Sequence, residues 1–522
     1  MVQFDLKSAY HHIAIHEDHK KYLGFMWQDQ HYCFAALPFG LATAPHVFTK
    51  VTRPLITHWR KRGFRAFDDG TAAASSTEEA DHMAKEMQQD LRASGFIVNV
   101  KKSRWVPSQV LEVLGCEVDM KIAVFRVPKE KAERVCNMAV GLLRSKRSVK
   151  ARSLASFAGF VQSLRLAIGP STSLWTRSMY SALAEIRSFE HHLHLSSAVT
   201  RELAFWNNFF GKPVVEFPMF PVEPRIQVFT YSDASNVAWG GYVHSSPIKI
   251  AHGNFVAEHQ GPMATSSTWR EVNAMKCVLS SLVSSLSNRV VLHRSDNQNV
   301  VRVVKNGSRV PAIHEEVIQL TELCQRHCIH LAVDWVPRDD NTVADRISKA
   351  QDASDFQLNP TVFRALDESW GPHSIDCFAS VLSAQLPRYC SRFFNPGCTA
   401  VNAFTLDWKD EDCWLFPPVQ LIGCVLRYAK ACAQHASLLV PNWPAQPWWH
   451  LLFYDIAGSC RQNIVEWVEI PLYPGLFIAR GSGPVLFTDG PFTSSMVAVR
   501  LCFREECAAH AHKPIALDGL AM

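Results

Sequence analysis

The chain lacks the features that would assign it to a membrane or to the secreted proteins. Nowhere do about 18 apolar residues follow one another, so we expect no membrane-spanning helix. The first residues carry charge and have no apolar core, which is not typical of a secretory signal. Its 15 cysteines are scattered, a pattern that favours reduced thiols and an intracellular location, in the cytoplasm, the nucleus or both.

Strong net charge and internal repeats are also missing. A net charge of +5 is mild, so any affinity for nucleic acid must come from local basic clusters. Hydrophobic residues make up 48% of the chain and charged residues 19%, as in globular proteins. With 522 residues the chain is long enough for roughly three or four domains that each bury a core.

Four acids that are present in the second half lie beside the ends of predicted strands and helices. Residues 228–233 predict a strand that ends at Asp233, and Glu271 lies near the start of an apolar helical stripe. Asp296 follows an apolar strand, and Asp345 follows a further strand and a polar turn. This order predicts a mixed sheet flanked by helices, with the acids converging at one end of the sheet.

Four carboxylates in that arrangement suit two divalent ions. The ions would activate a water and stabilise the leaving oxygen in phosphodiester cleavage. Magnesium is the expected metal, with manganese as a substitute, because Mg²⁺ is hard, prefers carboxylate oxygen and keeps positions open for phosphate and water. The alternative is a set of solvated surface acids, since single acids are mostly exposed.

A second acidic set, of the kind that polymerases use, lies near the start of the chain. It consists of Asp5 and the adjacent pair Asp68 and Asp69. With a nucleoside triphosphate, these acids could hold two magnesium ions for in-line phosphoryl transfer. Two such sets in one chain indicate that it both makes and degrades nucleic acid.

Residues 226–350 resemble the ribonuclease H of retroelements. The resemblance lies in TYSDAS, TWRE, RSDNQ and NTVADRISK, which contain Asp233, Glu271, Asp296 and Asp345 in that order. It implies cleavage of the RNA strand in RNA–DNA hybrids, with no acid of the pattern missing.

The amino-terminal third resembles a reverse transcriptase palm in FDLKSAYHHIAI, LPFGLATAPHVF and FDDG. The resemblance implies that Asp5, Asp68 and Asp69 are metal ligands. Ala66 departs from the family, which usually has an aromatic residue two positions before the acid pair, and residues 63–65 are too short and too polar to predict a buried strand. The first motif begins at the fourth residue, so the fingers that normally precede it are absent, and we expect little or no polymerase activity.

The same resemblance assigns residues to the substrates of the polymerase. Tyr10 would be the steric gate against a ribose 2′-hydroxyl, and Phe39 and Gly40 would lie nearest the incoming nucleotide. Lys102 would lie near the leaving pyrophosphate, although a solvated charge is the alternative for a single lysine.

Residues 126–225 predict the helices of a thumb and connection, with a dense basic cluster. The cluster consists of Arg144, Lys146, Arg147, Lys150 and Arg152. It could track a nucleic-acid backbone, with binding that weakens as salt rises. The alternative is an ordinary charged helix face.

Past residue 355 the chain is richer in Trp, Pro and Cys and predicts a further small α/β unit. This stretch resembles the segment that follows ribonuclease H in DIRS and Ngaro retroelements and is likened to adenine methyltransferases. The run from Phe416 to Val419 lacks the polar residue that those enzymes need, and no glycine-rich turn follows Asp376. We therefore expect a methyltransferase-like shell without that chemistry.

The chain is therefore similar to a reverse transcriptase and ribonuclease H polyprotein fragment of a DIRS- or Ngaro-like retrotransposon. The predicted fold is multidomain, α+β and α/β: a palm with partial fingers (1–125), a helical thumb and connection (126–225), a ribonuclease H-like domain (226–350), a degenerate methyltransferase-like region (355–475) and a tail (476–522). The implied partners are an RNA–DNA hybrid, template-primer nucleic acid, deoxynucleoside triphosphates if the polymerase works and, by resemblance, a tyrosine recombinase. The alternative is a non-catalytic nucleic-acid-binding remnant of a decayed element.

Overall fold

The computed structural model divides the chain into two compact units, Met1–Glu223 and Pro224–Met522. The residues that it describes are 1–67, 70–145, 148–221, 224–255, 266–349, 356–454, 461, 463–480 and 492–503. Both units combine helices with strands, which confirms the mixed α/β class.

The first unit consists of short strands and helices of four to 18 residues. Its helices are α1 Glu17–Lys20, α2 Ala44–Lys61, α3 Thr77–Ala93, α4 Lys129–Arg144, α5 Ala151–Ser163, α6 Arg165–Ile168, α7 Ser171–Leu174, α8 Arg177–Ala184 and α9 Ser197–Phe210. Its strands are β1 Val2–Gln3, β2 Gly24–Trp27, β3 Gln30–Cys33, β4 Arg65–Ala66, β5 Thr71–Ala73, β6 Val110–Val113, β7 Cys116–Asp119, β8 Val124–Arg126, β9 Val149–Lys150, β10 His192–Leu193 and β11 Glu216–Pro218. The helices expected between residues 126 and 225 are thus present as α4–α9.

A small antiparallel sheet in the order β1-β5-β4 shares a core with α2 and α3. Val2, Trp59 and Met87 are fully buried in this core. Helix α3 begins with an N-cap, in which the Ser76 hydroxyl accepts a hydrogen bond from the Glu79 backbone N–H at 3.1 Å. The cap and the apolar face of α3 together fix the helix against the sheet.

The short polar segment 63–65 is not a buried strand, as its sequence predicted: Gly63 and Arg65 are exposed, and strand β4 has only two residues, Arg65 and Ala66. Ala66 is buried and pairs with Ala72. The pairing with β5 supplies hydrogen-bond partners and burial that a short polar segment does not reveal by itself.

The second unit contains two five-stranded sheets. Its helices are α10 Ser267–Ser281, α11 Val283–Leu286, α12 Gln298–Asn306, α13 Pro311–Arg326, α14 Thr342–Ser348, α15 Pro360–Trp370 and α16 Ile422–Cys432. Its strands are β12 Val228–Ala234, β13 Ala238–His244, β14 Lys249–Asn254, β15 Val290–Ser295, β16 His330–Trp335, β17 Phe356–Leu358, β18 Ile375–Asp376, β19 Cys390–Ser391, β20 Ala400–Val401, β21 Asp412–Leu415, β22 His435–Pro441, β23 Ile464–Ile470, β24 Phe477–Ala479 and β25 Met496–Cys502.

The first of these sheets has the order β14-β13-β12-β15-β16. Strands β14, β13 and β12 are antiparallel neighbours, and β12, β15 and β16 run parallel. The helix α10 presents Val272, Met275 and Leu279, all fully buried, to the core. The mixed sheet with flanking helices is the arrangement that the sequence predicted for this region.

Helix α14 packs directly on strand β13 at Gly240. A Cβ atom at Gly240 would lie 2.3 Å from the backbone nitrogen of Ser348. At the other end of the helix, the buried Asn341 side chain donates a hydrogen bond to the carbonyl oxygen of Ser232 at 3.0 Å. These two contacts fix the position of α14 on the sheet.

The second sheet of this unit has the order β18-β21-β22-β25-β23. Its first three strands are parallel, and β25 runs antiparallel to both of its neighbours. Trp408, Trp414 and Phe453 are fully buried beside it. Cys502, at the end of β25, is disulfide-bonded, whereas the other described cysteines are free thiols, so the expectation of reduced thiols fails at this residue.

Gly240→Ala is expected to destabilise the second unit by roughly 1–3 kcal/mol, because the added methyl group must displace the Ser348 backbone. Urea unfolding of the intact chain would measure the loss. Gly423→Ala, in the first turn of α16, is the matched control, because its added Cβ meets only ordinary van der Waals contact. Equal unfolding midpoints for the two variants would contradict the proposed close contact.

Candidate active sites

Asp233 lies near the end of β12, opposite Gly240 in the neighbouring strand. Its side chain is buried, and its Oδ2 accepts a hydrogen bond from the Ser348 hydroxyl at 2.6 Å. Burial raises the pKa of the Asp233 carboxyl, the Ser348 hydrogen bond opposes the rise, and the negative charges of Asp296 and Asp345 add to it. The fold therefore holds a carboxylate in one orientation in a place where its charge is costly.

Glu271 lies in the second turn of α10, whose first turn is capped by the Ser266 hydroxyl. Only 7% of Glu271 is exposed, and its Oε2 has no hydrogen-bond partner among the described residues. Burial raises the pKa of this carboxyl to about 9, and the charges of Asp233 and Asp296 add to the increase. Without a cation nearby, Glu271 therefore keeps its proton at neutral pH.

Asp296 follows β15, the parallel neighbour of β12, and is half-buried. One ligand oxygen from each of Asp233, Glu271 and Asp296 can be chosen so that all lie within 4.8 Å of one another. We call these residues the three-acid cluster. Converging, partly desolvated carboxylates with an unpartnered oxygen fit a hard divalent cation such as Mg²⁺.

Asp345, the fourth predicted acid, is not a member of the three-acid cluster. It lies on α14, and its carboxylate pairs with the Lys349 ammonium at 2.7 Å. Its negative charge nevertheless raises the pKa of Asp233, so it lies close enough to act on the cluster.

His293, a residue that the sequence reasoning missed, is buried on β15, the neighbour of the strand that carries Asp233. Its ring nitrogens are each 3.0 Å from a hydroxyl, Nδ1 from Thr230 and Nε2 from Ser232. Complete burial lowers the pKa of the imidazole to about 3, so it is neutral. The sequence signal that could have identified His293 is a single histidine inside an apolar strand, together with Thr230 and Ser232, two hydroxyl residues on one face of another strand.

In the first unit, Asp5 follows β1 and is half-buried. Its Oδ2 accepts a hydrogen bond from the Asn99 side chain at 2.9 Å. Gly70 follows the acid pair in sequence, and a Cβ at this positive-φ position would lie 2.2 Å from the Phe4 carbonyl oxygen. Asp68 and Asp69 lie outside the described residues, so their distance to Asp5 stays a prediction.

The residues predicted to bind polymerase substrates are partly brought together. The rings of Tyr10 and Phe39 lie 5.0 Å apart, and Phe39 is largely exposed, as a surface for a nucleotide requires. Gly40 has a φ of +89°, a conformation that favours glycine. Lys102 is exposed, and nothing in the described contacts distinguishes it from a solvated charge.

The basic cluster does not lie on one helix. Arg144 ends α4, Lys150 lies in β9 and is exposed, and Arg152 begins α5 and pairs with Glu190. Lys146 and Arg147 lie outside the described residues. The alternative of a single charged helix face is therefore wrong, whereas nucleic-acid binding by the cluster stays a prediction.

Comparisons with known proteins bear on the first unit. Residues 1–118 match the family described as reverse transcriptase (RNA-dependent DNA polymerase). This part of the chain is therefore similar to a reverse transcriptase domain. The segment that matches the putative enzymatic polyprotein of Cassava vein mosaic virus is 29% identical over 118 residues, which is 22% of this chain and 18% of the viral protein.

A longer segment of the chain is similar to transposon polyproteins. The Tf2-3 polyprotein of Schizosaccharomyces pombe is 26% identical over 183 residues, 35% of this chain and 13% of that protein. These relatives are of the retroelement kind, and the matched segments span less than a fifth of their length.

Solved structures were also compared with the chain. The foamy viral protease-reverse transcriptase in complex with an RNA/DNA hybrid gives a TM-score of 0.36 at 15% identity, over 65% of this chain and 44% of that one. Ribonuclease H1 of Halobacterium salinarum gives 0.20 at 20% identity, over 23% and 93%. The interpretation of the three-acid cluster therefore depends on its own geometry.

Among the described residues, no helix is long and apolar enough to cross a membrane.

Glu271→Gln is expected to stabilise the metal-free chain at alkaline but not at acidic pH. The folded chain keeps the Glu271 proton up to about pH 9, whereas an unfolded chain loses it above the ordinary pKa of 4.5. Because the folded state binds more protons in this window, the stability of the natural chain falls as pH rises through it.

Glutamine cannot ionise, so the variant should be more stable than the natural chain by several kcal/mol near pH 8, and equal to it near pH 4. Urea unfolding with a chelator present measures the difference. A pH-independent difference would contradict a protonated Glu271.

Proposed function

We propose that the second unit hydrolyses the RNA strand of RNA–DNA hybrids with two divalent ions, as a ribonuclease H does. The three-acid cluster is the observation that supports this proposal. Two of its carboxyl groups, those of Asp233 and Glu271, are buried, and the charged form of each is unfavourable there without a cation. Solvated surface acids would not need this arrangement.

Each residue of the site has a separate task in this proposal. Asp233 and Asp296 provide ligand oxygens from the ends of neighbouring strands, and Ser348 orients Asp233. Glu271 would hold a cation through its unpartnered oxygen once its carboxyl group has lost its proton. The bound ions would activate a water and stabilise the leaving oxygen.

The first unit carries a second proposed activity, RNA-directed DNA synthesis at Asp5, Asp68 and Asp69. Template-primer and deoxynucleoside triphosphates are its proposed substrates, and Arg144 and Lys150 are proposed to contact the nucleic-acid backbone. We propose further that the element is of the DIRS or Ngaro type, works inside the cell and depends on a tyrosine recombinase.

For the last region we propose a methyltransferase-like shell without methyl transfer. Three parallel strands with α16 between β21 and β22 support the shell. The Asp376 carboxylate is buried and accepts hydrogen bonds from the backbone N–H groups of Phe378 and Gln385. That carboxylate is therefore occupied by its own loop.

Purified chain is expected to cleave a labelled RNA–DNA hybrid in the presence of Mg²⁺, and Asp296→Asn should lower the rate by at least about 100-fold, because a ligand charge is lost. Asp339→Asn is the matched control, since Asp339 is an exposed acid of the turn before α14. Single-stranded RNA should not be cut.

Cleavage that persists in Asp296→Asn would exclude this site as its source. Binding of the hybrid without cleavage by the natural chain would instead favour the non-catalytic remnant.

Primer extension on an RNA template is expected to be weak. The strand before the acid pair has only two residues and carries Ala66 where the resembling enzymes have an aromatic side chain. Incorporation of labelled nucleotides measures the activity, with Asp5→Asn as the control. Robust extension that Asp5→Asn abolishes would overturn this expectation.

A further inference from the structure

Lys349 forms an ion pair with Asp345, the predicted acid that is not a member of the three-acid cluster. Its Nζ lies 2.7 Å from both Oδ1 and Oδ2 of Asp345, one helical turn earlier. The pair lies at the carboxyl-terminal end of α14, next to Ser348, whose hydroxyl contacts Asp233. The singly charged Lys349 ammonium is therefore bound to the Asp345 carboxylate, which could otherwise bind a metal ion.

The charge of Lys349 also acts on the cluster itself. It lowers the pKa of Asp233, in opposition to the negative charges of Asp296 and Asp345. Lys349 therefore partly neutralises the excess negative charge of the site in the absence of metal.

Exchange of this cation for a metal ion requires no movement of the helix. Gly240 and Asn341 hold the two ends of α14 on the sheet, so a change of partner by Asp345 would be a rotation of its side chain. The Lys349 side chain is 60% exposed and can swing into solvent. Exposed ion pairs one turn apart are weak, whereas a divalent ion carries twice the charge and binds carboxylates directly.

We propose that Lys349 is a resident counter-cation of the site, which neutralises Asp345 without metal and is displaced when the second divalent ion binds. Its presence raises the metal concentration needed to fill the site, so it sets the metal threshold of the enzyme. This inference rests on the proposed nuclease function, and it adds a residue that controls metal occupancy.

Titration of the full chain with Mn²⁺ tests the proposal without any assay of cleavage, with free Mn²⁺ followed by electron spin resonance. All variants also carry Asp5→Asn, which removes a proposed metal ligand of the first unit, so that the constants report the second unit. Lys349→Met keeps the length of the side chain and removes its charge, so the Kd of the weaker Mn²⁺ site should fall by about 3- to 10-fold. Lys349→Arg keeps the charge and should leave that Kd within about twofold.

A similar ion pair in the first unit provides the matched control. Lys85 pairs with Asp81 one turn apart at 2.6 Å and is also exposed. Lys85→Met should leave both Mn²⁺ dissociation constants unchanged. Lys85 belongs to the first unit and is remote in sequence from Asp233, Glu271, Asp296 and Asp345 of the second unit.

The outcomes separate the two proposals. If Asp233→Asn does not weaken Mn²⁺ binding, the proposed nuclease site is wrong. If Asp233→Asn weakens binding but Lys349→Met leaves the weaker Kd unchanged or raises it, only the counter-cation role is refuted, and a raised Kd would mean that Lys349 orients Asp345 for the metal instead.

Discussion

The contact between the backbones of Gly240 and Ser348 is the constraint on which the second unit depends. It brings a helix onto a strand more closely than any side chain would permit. Because the helix lies there, the Ser348 hydroxyl reaches Asp233, and Asp345 comes within electrostatic range of the cluster. The missing Cβ atom of Gly240 thus determines the environment of Asp233 and Asp345, two acids that are 112 residues apart.

Apolar packing beneath the sheet offsets the electrostatic cost of the cluster. Val272, Met275 and Leu279 are fully buried on the same helix as Glu271. Burying each such side chain contributes roughly 1.5–3 kcal/mol, whereas one buried polar atom without a partner costs about 1–3 kcal/mol. The helix that carries the unfavourable carboxyl therefore has enough apolar contact to hold it in place.

The elements around the acids could be predicted from sequence, but their contacts could not. Period-two and helical patterns identified the strand before Asp233 and the helix of Glu271, because periodicity reports which face is buried. The Lys349 partner of Asp345 was not predicted, because the sequence pattern indicated a metal ion for this carboxylate and does not rank a lysine against it. The burial of Ala66 in β4 was not predictable because it comes from β5, a tertiary contact that a short segment does not encode.

The buried imidazole of His293 has a consequence for strand register. In the parallel pairing of β12 and β15, His293 stands opposite Thr230 and also reaches Ser232. A slip of one residue would move the strand by about 3.3 Å, turn the imidazole to the other face and leave both hydroxyls without this partner. Asp233 follows Ser232 on β12 and Asp296 directly follows β15, so the imidazole bridge sets the stagger between the segments that carry these two acids. By fixing the stagger of the strands, it fixes the spacing at which two carboxylates can share one ion.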